Sequence, residues 1–153
     1  MYSLLLLLHS WIRWLALAAG LLATVSAVRN VSIQDPRADR WGLVLSIALD
    51  IQMLLGLVMY FGVSPVMESI RANFAAAMPN PQLRFWAVEH ITGMVIAVVL
   101  VHVGRVLSRK AASPQSRRKR QMICYGLATL IMLLLTPWPG TAAGRPFFRL
   151  GFS

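Results

Sequence analysis

Long apolar stretches dominate this sequence and limit what it can fold into. They run over Leu4–Val28, Gly42–Val63, Phe85–Leu107 and Gln121–Trp138. A helix that crosses a bilayer needs about 20 mostly apolar residues, because each residue of an α-helix advances only about 1.5 Å. Short polar connections separate the stretches. The chain is therefore predicted to be a single all-α domain over residues 1–153, an integral membrane four-helix bundle with up-down-up-down topology.

The composition excludes an ordinary soluble domain. Charged residues make up 13% of the chain, whereas soluble domains average about 25%. The first apolar stretch is not expected to be a cleaved signal peptide, because it lacks a basic leader and is interrupted by His9 and Arg13. Cys124 is the single cysteine, which excludes an internal disulfide and a thiolate metal cluster.

The distribution of positive charge predicts the orientation. The net charge is +10, and most basic residues lie in the first and third connections and their flanks, whereas the second holds only Arg71 and Arg84. Loops rich in Lys and Arg stay in the cytoplasm, so both termini are predicted to lie outside a bacterial inner membrane. This orienting role, together with contact with anionic lipid, is favoured over nucleic-acid binding. The basic residues concerned are Arg29, Arg37, Arg40, Arg105, Arg109, Lys110, Arg117, Arg118, Lys119 and Arg120.

Two further segments have their own character. Apolar residues recur at helical spacing between Pro65 and Pro79, which predicts an amphipathic helix on the outer surface over residues 65–79. The tail, residues 139–153, is rich in Gly and Pro and carries Phe147, Phe148 and Phe152. It is predicted to be irregular and to be ordered by a partner.

Polar side chains inside the apolar stretches are costly and are functional candidates by default. His9 and His90 lie on parallel helices that occupy diagonal positions in the bundle, each about 9 Å below the outer end of its helix by helical rise. Two such histidines can ligate one haem iron from opposite faces. The full set of polar candidates is His9, Arg13, Asp50, Gln52, Glu89, His90 and His102.

Small residues follow each histidine on nearly the same helix face. Gly20 lies below His9 and Gly93 below His90, and together with Ala16 and Ala97 they leave room for a flat macrocycle. The alternative is that small residues let helices pack closely without any cofactor, and that the histidines form interhelical hydrogen bonds.

The remaining polar residues are expected to make different kinds of contact. Arg13 and Asp50 lie at similar depth and are predicted to form a structural ion pair. Glu89 is expected to bond a neighbouring helix or to face an outward quinol site. Gln52 begins a stripe that contacts either a partner subunit or another helix of the bundle. No second histidine matches the depth of His102, so a second haem is not expected.

Residues near these candidates complete the expectation for the site. His102 and Arg105 are expected to meet lipid headgroups at the cytoplasmic end. Trp11 and Trp14 are expected to line a cavity beside His9, with Arg13 also contributing to the cofactor site.

Several strings are similar to those of a known family. LHSWIRW at 8–14, DIQMLLGLVMYF at 50–61, RFWAVEH at 84–90 and PWP at 137–139 resemble small four-helix bacterial membrane proteins labelled cytochrome b-like. The resemblance implies that His9 and His90 hold a b-type haem. The bundle is more distantly similar to b561-type cytochromes, which use four histidines for two haems, whereas this chain has three.

These observations predict a membrane electron-transfer subunit with one haem near the outer face. It would exchange electrons with quinol, or with membrane or periplasmic redox subunits, and would have no independent catalytic activity. Two alternatives stay open. One is a cofactor-free accessory subunit of a larger membrane complex, and the other is a small transporter or proton-handling protein built on Arg13, Asp50 and Glu89.

Overall fold

The computed structural model describes residues 1–29 and 37–148, and this part of the chain is helical with no strand. Two short π-helical turns interrupt it: Met59–Val63 extends α2, and Phe85–Glu89 joins α5 to α6. The α-helices are α1 (Tyr2–Val28), α2 (Arg37–Val58), α3 (Pro65–Ala72), α4 (Phe74–Ala77), α5 (Pro81–Arg84), α6 (His90–Arg109) and α7 (Pro114–Leu134).

Three continuous helical segments are long and apolar enough to cross a membrane, namely Tyr2–Val28, Asp39–Val63 and Pro81–Arg109. The chain is therefore a helical protein with the properties of a membrane protein, as the sequence predicts. The fourth apolar stretch, predicted to run to about Trp138, is helical only as far as Leu134, and Pro137 and Pro139 follow shortly after.

The fourth long helix, α7, differs from the other three in how it begins. The side chain of Ser113 accepts a hydrogen bond from the amide of Ser116, so α7 starts at Pro114 and carries the basic run Arg117–Arg120 in its first turns. Its apolar part is consequently shorter than the approximately 20 residues of a typical span.

The long helices form a four-membered ring in which α1 packs against α2 and α7, and α6 also packs against α2 and α7. Helices α1 and α6 are therefore diagonal. The end of the bundle that holds the start of α1 and the start of α6 also receives the end of α7 and the tail. We call it the histidine end, and the opposite one the basic end.

The core is built from small side chains, which let the helices approach closely. Ala23 of α1, Ala97 of α6 and Ala128 of α7 are fully buried. Glycines allow the closest contacts; for example, Gly42 faces the ring of Tyr125, and Gly104 faces the Cβ atom of Cys124.

The connection after α2 folds back over the histidine end. The Ser64 side chain accepts a bond from the amide of Met67 and starts α3, and a second short helix, α4, begins where Asn73 accepts from Ala76. Met67 and Ile70 are buried against the bundle. The amphipathic segment predicted over residues 65–79 is thus two short helices, and its apolar side contacts protein.

The tail has no regular helix over residues 135–148 and is fixed by the chain itself. The carbonyl oxygen of Phe147 accepts hydrogen bonds from Arg13 Nη2 at 3.1 Å and from Trp14 Nε1 at 3.0 Å. Phe148 stacks on Trp14 with ring centroids 5.5 Å apart. Up to residue 148 the tail therefore packs on α1 of the same chain, and Phe152 lies outside the described residues.

Candidate functional site

Two histidines from diagonal helices meet at the histidine end. His9 projects from α1 and His90 from the first position of α6, and their ring centroids are 6.4 Å apart with an interplanar angle of 66°. A metal–imidazole bond is about 2 Å long, so two imidazoles on opposite sides of one metal have centroids about 6 Å apart. The separation of the two rings matches that arrangement.

The His90 ring is held in a defined orientation. Its Nδ1 donates a hydrogen bond to the carbonyl oxygen of Leu135 at 2.8 Å, since a carbonyl can only accept. This leaves Nε2 as the nitrogen with the free lone pair. Histidines that bind metals usually bond a carbonyl or carboxylate through their other nitrogen in this way. Phe85 and Trp86 also contact the ring, with centroid distances of 5.6 and 5.5 Å.

Unpartnered polar atoms cluster around the histidine pair. Within residues 1–29 and 37–148, three buried side-chain atoms have no hydrogen-bond partner, namely His9 Nδ1, Arg13 Nε and Gln52 Oε1. All three side chains line one cavity. Most buried polar atoms in proteins are hydrogen-bonded, so exceptions need an explanation. Their concentration in one place is typical of a site that binds a polar or metal-containing ligand.

The histidines stand between two cavities. The inner cavity, deeper in the bundle, holds about 660 Å³ of unfilled space, and the outer cavity, beneath α3 and the tail, holds about 770 Å³, counting their open mouths. Both cavities are lined by His9, Arg13, Gly56, His90 and Ile91.

The polarity of this space changes along the bundle axis. Below the histidines the inner cavity is walled by apolar residues such as Leu49, Met94 and Met132. Above them the outer cavity reaches Ser64 and Arg145, and the Arg145 guanidinium lies 5.1 Å from the centroid of the Trp86 ring. The space therefore suits a ligand with a large apolar body and acidic groups at one edge.

Two glycines predicted to border a cofactor do not line either cavity. A Cβ atom on Gly20 would lie 2.6 Å from Thr129 Oγ1, and one on Gly93 would overlap Leu135. Both glycines make room for side chains packed from α7 and its C-terminal extension. At these two positions the structure supports the alternative, in which small residues serve close helix packing. Ala16 does line the inner cavity.

The predicted Arg13–Asp50 ion pair is wrong. Arg13 bonds the Phe147 carbonyl, whereas the Asp50 carboxylate lies 3.5 Å from His102 Nε2 on the outside of α2 and α6. Gln52 of α2 bonds the His9 carbonyl of α1, whereas Asp50 faces α6 and not α1. His102 also bonds the Val98 carbonyl through Nδ1 at 3.0 Å.

This pairing predicts a specific coupling. Asp50→Asn and His102→Gln should couple by about 0.6 kcal/mol, the average for hydrogen-bonded pairs in membrane proteins. Asp50→Asn and Arg13→Gln should be additive, because these residues share no contact. Double-mutant cycles on the free energy of unfolding in detergent measure both couplings. Coupling of Asp50 to Arg13 but not to His102 would contradict the geometry.

The other polar candidates have contacts within the chain. Gln52 Nε2 donates to the backbone carbonyl of His9 at 2.9 Å, so its stripe contacts another helix of the bundle. Tyr60, in the same stripe, donates to the Ala87 carbonyl at 2.8 Å. Glu89 pairs with Arg84 at 2.8 Å and lines neither cavity.

Some residues were misplaced or missed by sequence reasoning. Trp11 and Trp14 were predicted to line the cavity beside His9 but pack on the tail, where Trp11 lies 5.7 Å from Phe148 between ring centroids. Arg145 and the Leu135 carbonyl contribute to the site without a sequence signal, since both lie beyond the last helix.

The site holds few protein donors for a bare metal ion. Across the described ranges, no group of three or more His, Cys, Asp or Glu side chains could hold a metal. A metal bound by His9 and His90 alone would need a ligand that supplies its own donors. Comparison with known proteins gave no significant match to a family model, a curated protein or a solved structure.

Proposed function

We propose that this protein is a membrane electron-transfer subunit that binds one b-type haem between His9 and His90. The observation that carries the proposal is the 6.4 Å separation of the two rings between two cavities. The macrocycle brings its own nitrogen donors, which removes the need for more protein ligands. The visible spectrum of the reduced, purified protein tests it directly.

Each part of the site has a role in this proposal. His9 and His90 would hold the haem iron, and the Leu135 carbonyl orients His90. The apolar walls of the inner cavity exclude water from the lower part of the macrocycle. Arg13 and Arg145 line the outer cavity and pair with the acidic edge of the ligand. A haem ligated by two histidines supplies one-electron redox chemistry and has no open coordination position for a substrate.

The position of the site limits the exchange of electrons to one face. The histidine pair lies at one end of the bundle, so the natural donor is quinol or a redox subunit docked at that end. The basic residues gather at the other end, which supports a bacterial inner membrane orientation with the histidine end outward. The bundle then has four spans, with α7 completing its crossing through the apolar residues that follow it.

A reporter fusion tests this orientation. An alkaline phosphatase fused after Ser153 should be active, because that enzyme requires the oxidising outer compartment. The same enzyme placed at residue 112, between α6 and α7, should be inactive. The reverse pattern in whole cells would overturn the proposed topology.

Charge near the outer cavity predicts a shift in redox potential. Arg145→Gln removes a cation near the proposed acidic edge, which disfavours the added electron, so the midpoint potential should fall by tens of millivolts. Arg84→Gln is the matched control, because Arg84 lies at the same end but pairs with the exposed Glu89. Potentiometric titration measures both variants. Equal shifts would show that Arg145 acts only through general surface charge.

A further inference from the structure

A second concave site lies at the basic end of the bundle, between α2, α6 and α7. It holds about 590 Å³ of unfilled space, counting its open mouth. Four arginines line it, with one carboxylate: Arg40, Asp39, Arg105, Arg109 and Arg117. It has no residue in common with the two cavities at the histidine end.

Among the residues that the structure describes, carboxylates do not balance the positive charge of this pocket. The carboxylate of Asp39 is already bonded to Arg117 and to Gln121. No ion pair joins Arg40, Arg105 or Arg109 to a carboxylate within the described ranges, and Arg105 bonds only the hydroxyl of Ser46, at 3.4 Å. Guanidinium groups around one concavity repel one another, and an anion between them removes that repulsion.

The side chain of Tyr125 lines the pocket and is only 1% exposed. The ring is fixed in place by Gly42, where an added Cβ atom would lie 2.5 Å from the hydroxyl oxygen. A rigid donor beneath several arginines indicates an acceptor-rich anion as the ligand.

We propose that this pocket binds a phosphate group, held by Arg40, Arg105, Arg109 and the hydroxyl of Tyr125. The planar fork of donors on arginine matches phosphate oxygens. Basic pockets between membrane helices bind anionic lipid headgroups. Leu43 adds an apolar wall beside the arginines, suited to the glycerol and upper acyl chain of a phospholipid. Inorganic phosphate is the other source of the same chemistry.

Binding to the full-length protein in detergent tests the site. The probes are short-chain phosphatidylglycerol, phosphatidylcholine and inorganic phosphate, and native mass spectrometry counts the molecules retained. Phosphatidylglycerol should bind with one-to-one stoichiometry. The double variant Arg40→Gln/Arg109→Gln should weaken it about tenfold or more, since each cation contributes about 1 kcal/mol near a membrane surface. Tyr125→Phe should also weaken it without altering the helical circular dichroism.

A matched control distinguishes binding in this pocket from attraction by the overall positive charge of the basic end. Lys110→Gln/Lys119→Gln removes the same charge from the basic end, but neither lysine lines the pocket. It should leave the affinity within a factor of about two. Saturable competition by inorganic phosphate would identify free phosphate as the ligand, and its absence would identify the lipid. Equal weakening by both double variants, or equal binding of phosphatidylcholine, would overturn the proposal.

Discussion

His9→Ala and His90→Ala are each expected to remove the sharp alpha band that a reduced, six-coordinate haem gives. Either change leaves one axial position empty, because the rings come from different helices and no other histidine of the chain lies at the site. The alpha band should be lost almost completely in His90→Ala, because this change also removes the hydrogen-bond donor of the Leu135 carbonyl. Haem content per chain and the reduced-minus-oxidised spectrum measure the effect.

His102→Ala is the matched control for both variants. It removes the third histidine of the chain, whose ring faces Asp50 on the outside of α6. Its haem content and spectrum should stay at the wild-type level. A spectrum that depends on His102 but not on His9 would contradict the assignment of the ligands. Normal circular dichroism in all three variants excludes unfolding as the cause.

Gly104→Ala should destabilise the bundle by about 1–3 kcal/mol, the usual cost of overpacking a tight core. The added Cβ atom would lie 2.5 Å from the Cβ atom of Cys124. A Cβ atom moves only with its backbone, so α6 and α7 must separate. The expected result is a lower free energy of unfolding, with haem retained if the separation stays local to the basic end.

Another glycine, Gly126 of α7, provides the control for this substitution. Gly126→Ala places its Cβ atom 3.6 Å from Thr24 Cγ2, which is ordinary van der Waals contact. Its stability should stay the same or rise by up to about 1 kcal/mol, because alanine favours the helix over glycine. Unfolding in mixed detergent micelles compares the two variants. Equal stability of both would mean that the helices are not in such close contact.

The helices were predictable because long apolar runs have few alternatives in a membrane. Hydropathy located the start of α1 and the ends of α2 and α6 to within a few residues. The proximity of His9 and His90 was also predicted from equal depth on diagonal helices, and it holds because both side chains face the same cavity inside the bundle. The sequence did not indicate the π-helical turn at Phe85–Glu89. The depth of His90 estimated from helical rise was nevertheless good enough to predict this contact.

The rotation of each helix about its own axis and the path of the tail could not be predicted in the same way. Depth alone suggested an Arg13–Asp50 pair, but the direction in which α2 presents Asp50 depends on how α1 and α6 pack around it. The roles of Gly20 and Gly93 were equally ambiguous, because a small residue suits both a cofactor and a neighbouring helix. Arg145 reaches the site through an irregular segment, whose path no periodic pattern encodes.

The most direct test of the account is the visible spectrum of wild-type protein, purified in mild detergent from cells supplied with haem precursor. We expect one haem per chain, with a sharp alpha band on reduction and no change when carbon monoxide is added, because His9 and His90 would both bind the iron. Protein that is folded but contains no haem would contradict it. So would a haem that binds carbon monoxide readily, since one axial position would then be open.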